Sequence, residues 1–437
     1  MIGLGTATAQ LDTSVNIAFP AITRGFALDI GGIQWVVICY VLTYASLLLA
    51  LGRIGDTIGH LVVYRTGLIC TAVALLLVSH APSYGAMLAF RCLQGIGAAL
   101  VMSCGVALVT ALYGEERRSR ALGIYTMMMA IGWMLGPLLG GTLTAMWDWP
   151  AVFWFRIPIA IAALLLLRGM PVAPPRATGD RFDIASGIAL TLGLVTMLMA
   201  INRIRELSAL WLALLSAVAL AAFAVRQSRA ERPIIAIDVL KLPGFALLNL
   251  VSILANLAAF SVWLLVPYYL ARLPGYTLTE GGAILAAGAA GAALAAPIGG
   301  RLTGRTFSAE RLAIAGAVII GAGLLLLGAW TEQTPTVLRV TGLVVQGIGL
   351  GLFQLAYADI VTAALPLAER GVAGSLVLLT RTLGTVTAAS VFFLVFEILQ
   401  ARNGFFEAFQ QTFQLAALLA FVAAGLLMLS PRKIGHA

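Results

Sequence analysis

The chain has 437 residues, of which 61% are hydrophobic and only 10% charged, with a mean hydropathy of +1.00. Such a composition excludes a water-soluble globular fold, and lipid must be the solvent for most of the surface. A net charge of +9 could point to nucleic acid. No charged block is long enough to form a basic face on a soluble domain, so that class is set aside.

The first apolar stretch, about 2–22, carries Asp12, Asn16 and Pro20 and lacks a basic leader and a small-residue cleavage site. It reads as a span, not a signal peptide. Further apolar segments follow at about 33–52, 63–80, 85–112, 121–146 and 151–168. Each is about 20 residues long, enough at 1.5 Å per residue to cross a core of about 30 Å as a helix, and none alternates like a barrel strand. After a polar linker, Pro171–Asp183, come segments at about 184–202 and 207–225, a second linker, Arg226–Pro243, and six more at about 245–271, 279–301, 311–330, 336–364, 372–399 and 412–430. The expected fold is an all-α integral membrane protein with about 14 transmembrane helices. Residues 1–170 form one six-helix bundle, 171–243 the linkers and an extra two-helix hairpin, and 244–437 a second six-helix bundle. Cys39, Cys70, Cys92 and Cys104 all fall inside apolar segments without metal or redox spacing and read as small packing residues.

Basic residues fix the orientation, because positive charge is retained in the cytoplasm. With both termini inside, inner loops hold 18 Lys or Arg, among them Arg53, Arg65, Arg117, Arg168, Arg226, Arg301 and Arg370, and outer loops hold 5. A miscounted span would mix the two sets. Four arginines remain inside spans: Arg91, Arg156, Arg339 and Arg381. Intramembrane charge is costly and marks a pathway or a buried pair. Of the acids, Asp12 lies about 17 Å deep and Arg91 about 10 Å in from the opposite face, so the two can pair in a 30 Å core. Asp359 and Glu397 lie toward segment ends, where side chains reach water. Desolvation and a nearby arginine act on Asp12 in opposite directions, which leaves its state to the ambient proton concentration. It reads as a group that carries a proton or attracts a cation, with Arg91 tuning it; the simpler alternative is an ion pair that only fixes helix packing.

In the fifth segment Gly132, Gly136 and Gly140 recur every four residues, followed by Gly141, with Pro137 among them. This predicts a bendable helix with close backbone approach. A similar stripe between Gly281 and Gly300 hints at related halves.

These features resemble the major facilitator superfamily, and within it the fourteen-span drug:proton antiporters, over nearly the whole length. Gln10 through Pro20 is similar to that subfamily's Leu-Asp-x-Thr-x-Val-Asn-x-Ala-x-Pro motif in the first span. Gly52, Arg53, Asp56 and Gly59 lie in a stretch, Gly52 to His60, that resembles the superfamily's cytoplasmic loop between spans two and three. Arg91 through Ala99, with Gln94, is similar to the span-four motif linked to proton coupling, and Gly132 through Gly141 to the antiporter motif of span five. Degenerate counterparts stand at Gly299–Arg305, Gln346–Gly351 and Arg381–Gly384. Thr57, His60 and Leu61 replace usually basic positions of the loop motif, which leaves Arg65 as a substitute partner for Asp56. In Phe153–Pro158, Arg156 stands where the family segment usually has Asn, an extra cation that weighs against a generic cationic-drug specificity.

The resemblance implies a proton-coupled secondary transporter that exports small hydrophobic or amphipathic compounds by alternating access. Asp12 and Arg91 would couple to protons, and the Gly52–Gly59 and Gly132–Gly141 motifs would gate. Tyr40, Tyr44, Met127, Trp133 and Trp263, with Asp12, Asn16 and Gln94, would line a site for flat apolar molecules. The other reading within transport is an exporter of one metabolite or lipid. An embedded enzyme would need clustered His, Cys, Asp or Glu, whereas His60, His80 and His436 are scattered. A non-transporting receptor would leave Asp12 and Arg91 dispensable. The expectation is a monomer in the bacterial inner membrane with no metal and no cofactor, driven by the proton gradient.

Overall fold

A computed structural model describes residues 1–112, 115–170, 184–203, 206–229, 244–302, 307–364 and 370–429. Among the described residues the regular structure is helical throughout. The first apolar stretch is broken into α1 (Ile2–Gln10), a 3-10 turn at Leu11–Thr13, α2 (Ser14–Ile17) and α3 (Phe19–Gly25). Pro20 explains the second break, since it has no N–H for a helical bond back to Asn16, and it stands in the first turn of α3. Next come α4 (Gln34–Ile58), α5 (His60–Ser79), α6 (Tyr84–Leu112), α7 (Glu115–Trp147), α8 (Ala151–Trp154) and α9 (Arg156–Leu166). They are followed by α10 (Ile184–Asn202), α11 (Ser208–Arg229), α12 (Phe245–Leu270), α13 (Leu278–Leu302), α14 (Ala309–Gly328), α15 (Thr336–Ala363), α16 (Arg370–Asn403) and α17 (Phe405–Leu429).

Eleven of the described helices are long and apolar enough to cross a membrane. The sequence reading of fourteen spans also counts the broken first stretch and two shorter apolar pieces, Ala151–Leu166 and Ala185–Met197. On α11, Leu210 and Trp211 are 67% and 70% exposed, and Leu207, Leu214 and Val218 continue the same apolar face. Water would penalise that face by about 25 cal/mol per Å², so its solvent is hydrocarbon. Of the linkers, residues 171–183 and 230–243 lie outside the described residues.

The chain divides into two compact units. The first comprises Met1–Val195 with Thr277–Ala283. In it α6 packs along α4 and α5, and α1 lies against α6, α7 and α9. Its core joins Tyr64, Leu68, Val101, Cys104, Tyr125, Ala163 and Leu167. The Tyr64 hydroxyl donates to the Ile2 carbonyl and pairs with Thr6 Oγ1 at 3.1 Å, tying α5 to the start of α1. At the entry of α13, Thr277 and Glu280 cap one another's backbone N–H groups at 3.3 Å, a reciprocal arrangement that satisfies two orphan donors.

The second unit comprises Thr196–Tyr276 and Ile284–Ala437. There α14 packs on α15 and α17, and α12 on α16 and α17. One end is closed by stacked rings, with Tyr269 4.7 Å from Phe409 and 5.1 Å from Trp330, centroid to centroid. The Tyr269 hydroxyl donates to Thr331 O at 2.6 Å and Gln410 Nε2 to Trp330 O at 2.8 Å, while the buried Trp330 Nε1 has no hydrogen-bond partner among the described residues.

Between α4 and α5 the chain turns at Gly59 with φ 101° and ψ 124°, a conformation open to glycine and strained for residues with a Cβ. Gly59→Ala is expected to destabilise the protein by about 1–3 kcal/mol, read as a lower unfolding temperature in detergent. An unchanged midpoint would show that this turn relaxes without cost.

Candidate functional site

The 3-10 turn at Leu11–Thr13 places Asp12. Such a turn inside a membrane helix frees backbone groups, and here a side chain takes one up: Thr13 Oγ1 lies 3.2 Å from Gln10 O and 3.1 Å from Trp133 O. The turn is held against α7 by the glycine stripe. A Cβ on Gly132 would lie 3.0 Å from Ala7 O, one on Gly140 2.5 Å from Ser14 O, and one on Gly136 would overlap Thr13 Oγ1. The stripe read in the sequence as a bendable helix is thus the bed on which the Asp12 turn rests.

Asp12 meets three side chains. Arg91, two turns into α6, binds it bidentately, Nη1 to Oδ1 at 2.8 Å and Nη2 to Oδ2 at 2.9 Å. Gln94 Nε2 donates to Oδ1 at 2.9 Å, and Gln94 Oε1 accepts from Arg91 Nη1 at 2.7 Å. Arg156, the first residue of α9, adds Nη1 to Oδ1 at 2.9 Å. The arginines are oriented from behind: Arg91 Nε donates to Val36 O at 2.9 Å and Arg156 Nε to Val152 O at 3.0 Å. The Tyr40 ring lies 4.3 Å beneath the Arg91 guanidinium and stacks with Tyr44 at 6.3 Å, while Phe153 flanks both arginines at 5.8 and 5.5 Å. Both arginine side chains are essentially buried, and Asp12 keeps 13% of its side chain exposed. Charge-assisted bonds of this density in a low dielectric fix the geometry, and removing one partner costs about 3–5 kcal/mol.

Asp12, Arg91, Gln94, Tyr40 and Tyr44 are therefore brought together as one cluster. Arg156, whose role the sequence left open, is the second cation on Asp12. Asn16 is buried on α2, one turn beyond the 3-10 turn. Trp133 enters through its backbone carbonyl. Met127 is 54% exposed and stands about 9 Å along α7 from Trp133, away from the cluster. Trp263 is buried on α12 in the second unit. Gly141 packs against the first turn of α13, where its Cβ would overlap Leu278 O, and Pro137 O approaches Gly282. Gly52, Arg53 and Asp56 lie on the α4 backbone, with side chains outside the described residues. Arg65 places its guanidinium on carbonyls at the end of α9, donating to Leu167 O and lying 3.4 Å from the Arg168 and Met170 oxygens, as a cation at a helix C-terminus should.

The second-unit charges take other positions. Arg339 stands in the first turn of α15, not deep in a span, donating to Glu332 O at 3.2 Å. Asp359, Arg381 and Glu397 are exposed on their helices. What the sequence reading missed is an uncharged polar cluster. Asn249, Ser252 and Asn256 line one face of α12 and meet Gln354 and Tyr357 of α15 and Thr380 of α16. The signal was present as polar residues at i, i+3 and i+7 in an otherwise apolar helix. The Tyr357 hydroxyl donates to Asn249 Oδ1 at 2.8 Å and lies 3.0 Å from Thr380 Oγ1. Tyr357→Phe is expected to cost about 1–3 kcal/mol by leaving a buried acceptor unpaired, measured by thermal unfolding; a neutral result would show that the cluster rearranges freely.

A sequence profile of the Major Facilitator Superfamily matches residues 2–259 and 248–436. The chain belongs to that family, and it is a multi-pass membrane transporter rather than an enzyme. It is 26% identical to the riboflavin transporter RibZ of Clostridioides difficile (strain 630), over 99% of this chain and 97% of that one. It is 28% identical to the multidrug resistance protein Stp of Mycobacterium tuberculosis (strain CDC 1551 / Oshkosh), over 89% and 73%. Among solved structures, the nucleoside transporter NupG superposes with a TM-score of 0.70 at 14% identity, covering 98% of each chain, which shows a shared fold.

Proposed function

We propose that this transporter is a proton-coupled exporter of small hydrophobic or amphipathic compounds, working by alternating access in the bacterial inner membrane with fourteen spans and both termini cytoplasmic. The observation that carries the reading is the Asp12 carboxylate clamped by two buried guanidiniums on a broken helix. A carboxylate held this way is a charge whose loss on protonation changes the hold of α1 and α2 on α6 and α9, a local event that can bias a two-state protein. Similarity to a multidrug resistance protein supports export of foreign compounds. Similarity over nearly full length to a riboflavin transporter supports, of the second reading, its narrow specificity for one flat metabolite.

The test uses purified protein in liposomes loaded with a pH-sensitive dye. Adding a panel of amphipathic compounds, riboflavin among them, should move protons against substrate, and collapsing the gradient should stop uptake. Transport that is indifferent to the proton gradient would remove the coupling. Response to a single compound would select the specific exporter.

A further inference from the structure

The charges around Asp12 do not balance. Two guanidiniums share one carboxylate, so with Asp12 ionised the cluster keeps one positive charge in a buried setting. Arg156 is 0% exposed, and its Nη2 makes no hydrogen bond. An orphaned donor on a buried cation is expensive unless something accepts from it at some stage of the working cycle. The accessible edge of the cluster is the carboxylate itself, and the half-buried Tyr44 stacks on the Tyr40 ring that packs against Arg91.

We propose that Arg156, with Arg91, forms a subsite for an organic anion, in which the carboxylate of an aromatic, amphipathic substrate accepts from Arg156 in competition with Asp12. Asp12 is then an internal counter-anion that a substrate carboxylate displaces or joins. The planar guanidinium suits a carboxylate because its N–H groups are fixed in a fork. Tyr40 is buried between the Arg91 guanidinium and Tyr44, and the half-buried Tyr44 ring stacked on it is the flat surface left for the substrate's ring. A cationic compound would instead face two arginines already holding the only acid in the cluster. The inference rests on the transporter reading above and adds a substrate class to it.

The experiment is equilibrium binding to purified full-length protein, using naphthoate and its neutral amide, naphthamide, as probes, with naphthylmethylammonium as the cationic control. The intact protein should bind naphthoate about tenfold or more tightly than naphthamide, the range expected for one or two charge-assisted bonds. Arg156→Asn should erase that preference, and Arg156→Lys, which keeps the charge without the fork, should retain part of it. Asp12→Asn should tighten naphthoate by about tenfold or more while leaving naphthamide unchanged, because the competing anion is gone. A tighter cation than anion, a loss of naphthoate binding in Asp12→Asn, an intact preference in Arg156→Asn, or no binding of naphthoate at millimolar concentration would each overturn the proposal. If Asp12→Asn fails to fold, judged by its unfolding transition, the two Arg156 variants decide alone. Proton movement is read separately in liposomes: anion preference without proton coupling would keep the subsite and remove the exporter mechanism, and coupling with cation preference would do the reverse.

Discussion

Asp12→Asn is expected to yield a folded protein that no longer moves protons when substrate is added. The amide keeps the shape and one carbonyl oxygen, so a single acceptor remains for Arg91, Gln94 or Arg156. It cannot take up or release a proton, so a cycle that depends on that event stops. The variant also leaves two buried guanidiniums without a counter-charge, and about 3–5 kcal/mol of stability is at stake where one partner of a buried pair is removed. Thermal unfolding therefore belongs beside the flux assay, with dye-loaded liposomes reporting substrate-driven pH change. A lower unfolding temperature together with lost coupling is the expected pair of results. Full proton movement in a well-folded variant would end the assignment, and Asp359 and Glu397 would be next in line, both exposed acids in the second unit.

The helical class and the Asp12–Arg91 contact were legible because both follow from simple quantities. Apolar run length selects spans, and rise per residue places two charges at compatible depth. Arg156 was visible as a cation where none is cheap, yet its partner was not. It lies 144 positions away in sequence from Asp12, beyond the short α8, and no local pattern measures that distance. The turn at Leu11–Thr13 was invisible for another reason: Leu, Asp and Thr include no breaker, and the Thr13 hydroxyl holds the shape through a local bond to Gln10 O and a tertiary one to Trp133 O. Pro20 carries a local signal for its break, which the reading of 2–22 as one span did not use. Arg339 was counted inside a span although it lies only three residues beyond the start of the 336–364 run, which is also where α15 begins after Pro335, so it stands in the first turn. The polar cluster around Tyr357 carries no charge, and a reading led by intramembrane charge passes over it.

Replacing Gly136 should damage transport through the Asp12 turn that rests on it. A Cβ there overlaps Thr13 Oγ1 and comes within 3.1 Å of Ser14 N, so either α7 or the Asp12 turn must move. Alanine is the better helix former by about 1 kcal/mol, which works in favour of the substitution. Overpacking a close helix contact costs about 1–3 kcal/mol, so Gly136→Ala is expected to be neutral to about 2 kcal/mol destabilising, and Gly136→Val, with two further carbons, worse. The larger effect falls on transport. A shift of about 1 Å in the turn breaks the alignment of Asp12 with Arg91 and Arg156, and misplacement on that scale can cost a hundredfold in rate. Transport by Gly136→Val should therefore drop below about a tenth of the original even where the protein remains folded. Thr13→Ala supplies the decisive control, because it deletes the very oxygen that a Cβ at Gly136 would strike. In a double-mutant cycle, Thr13→Ala should restore much of the transport lost in Gly136→Ala, a coupling that distant sites do not show. If the two losses simply add, the stripe does not act through the Asp12 turn, and its role must lie at the contact of Gly141 with Leu278.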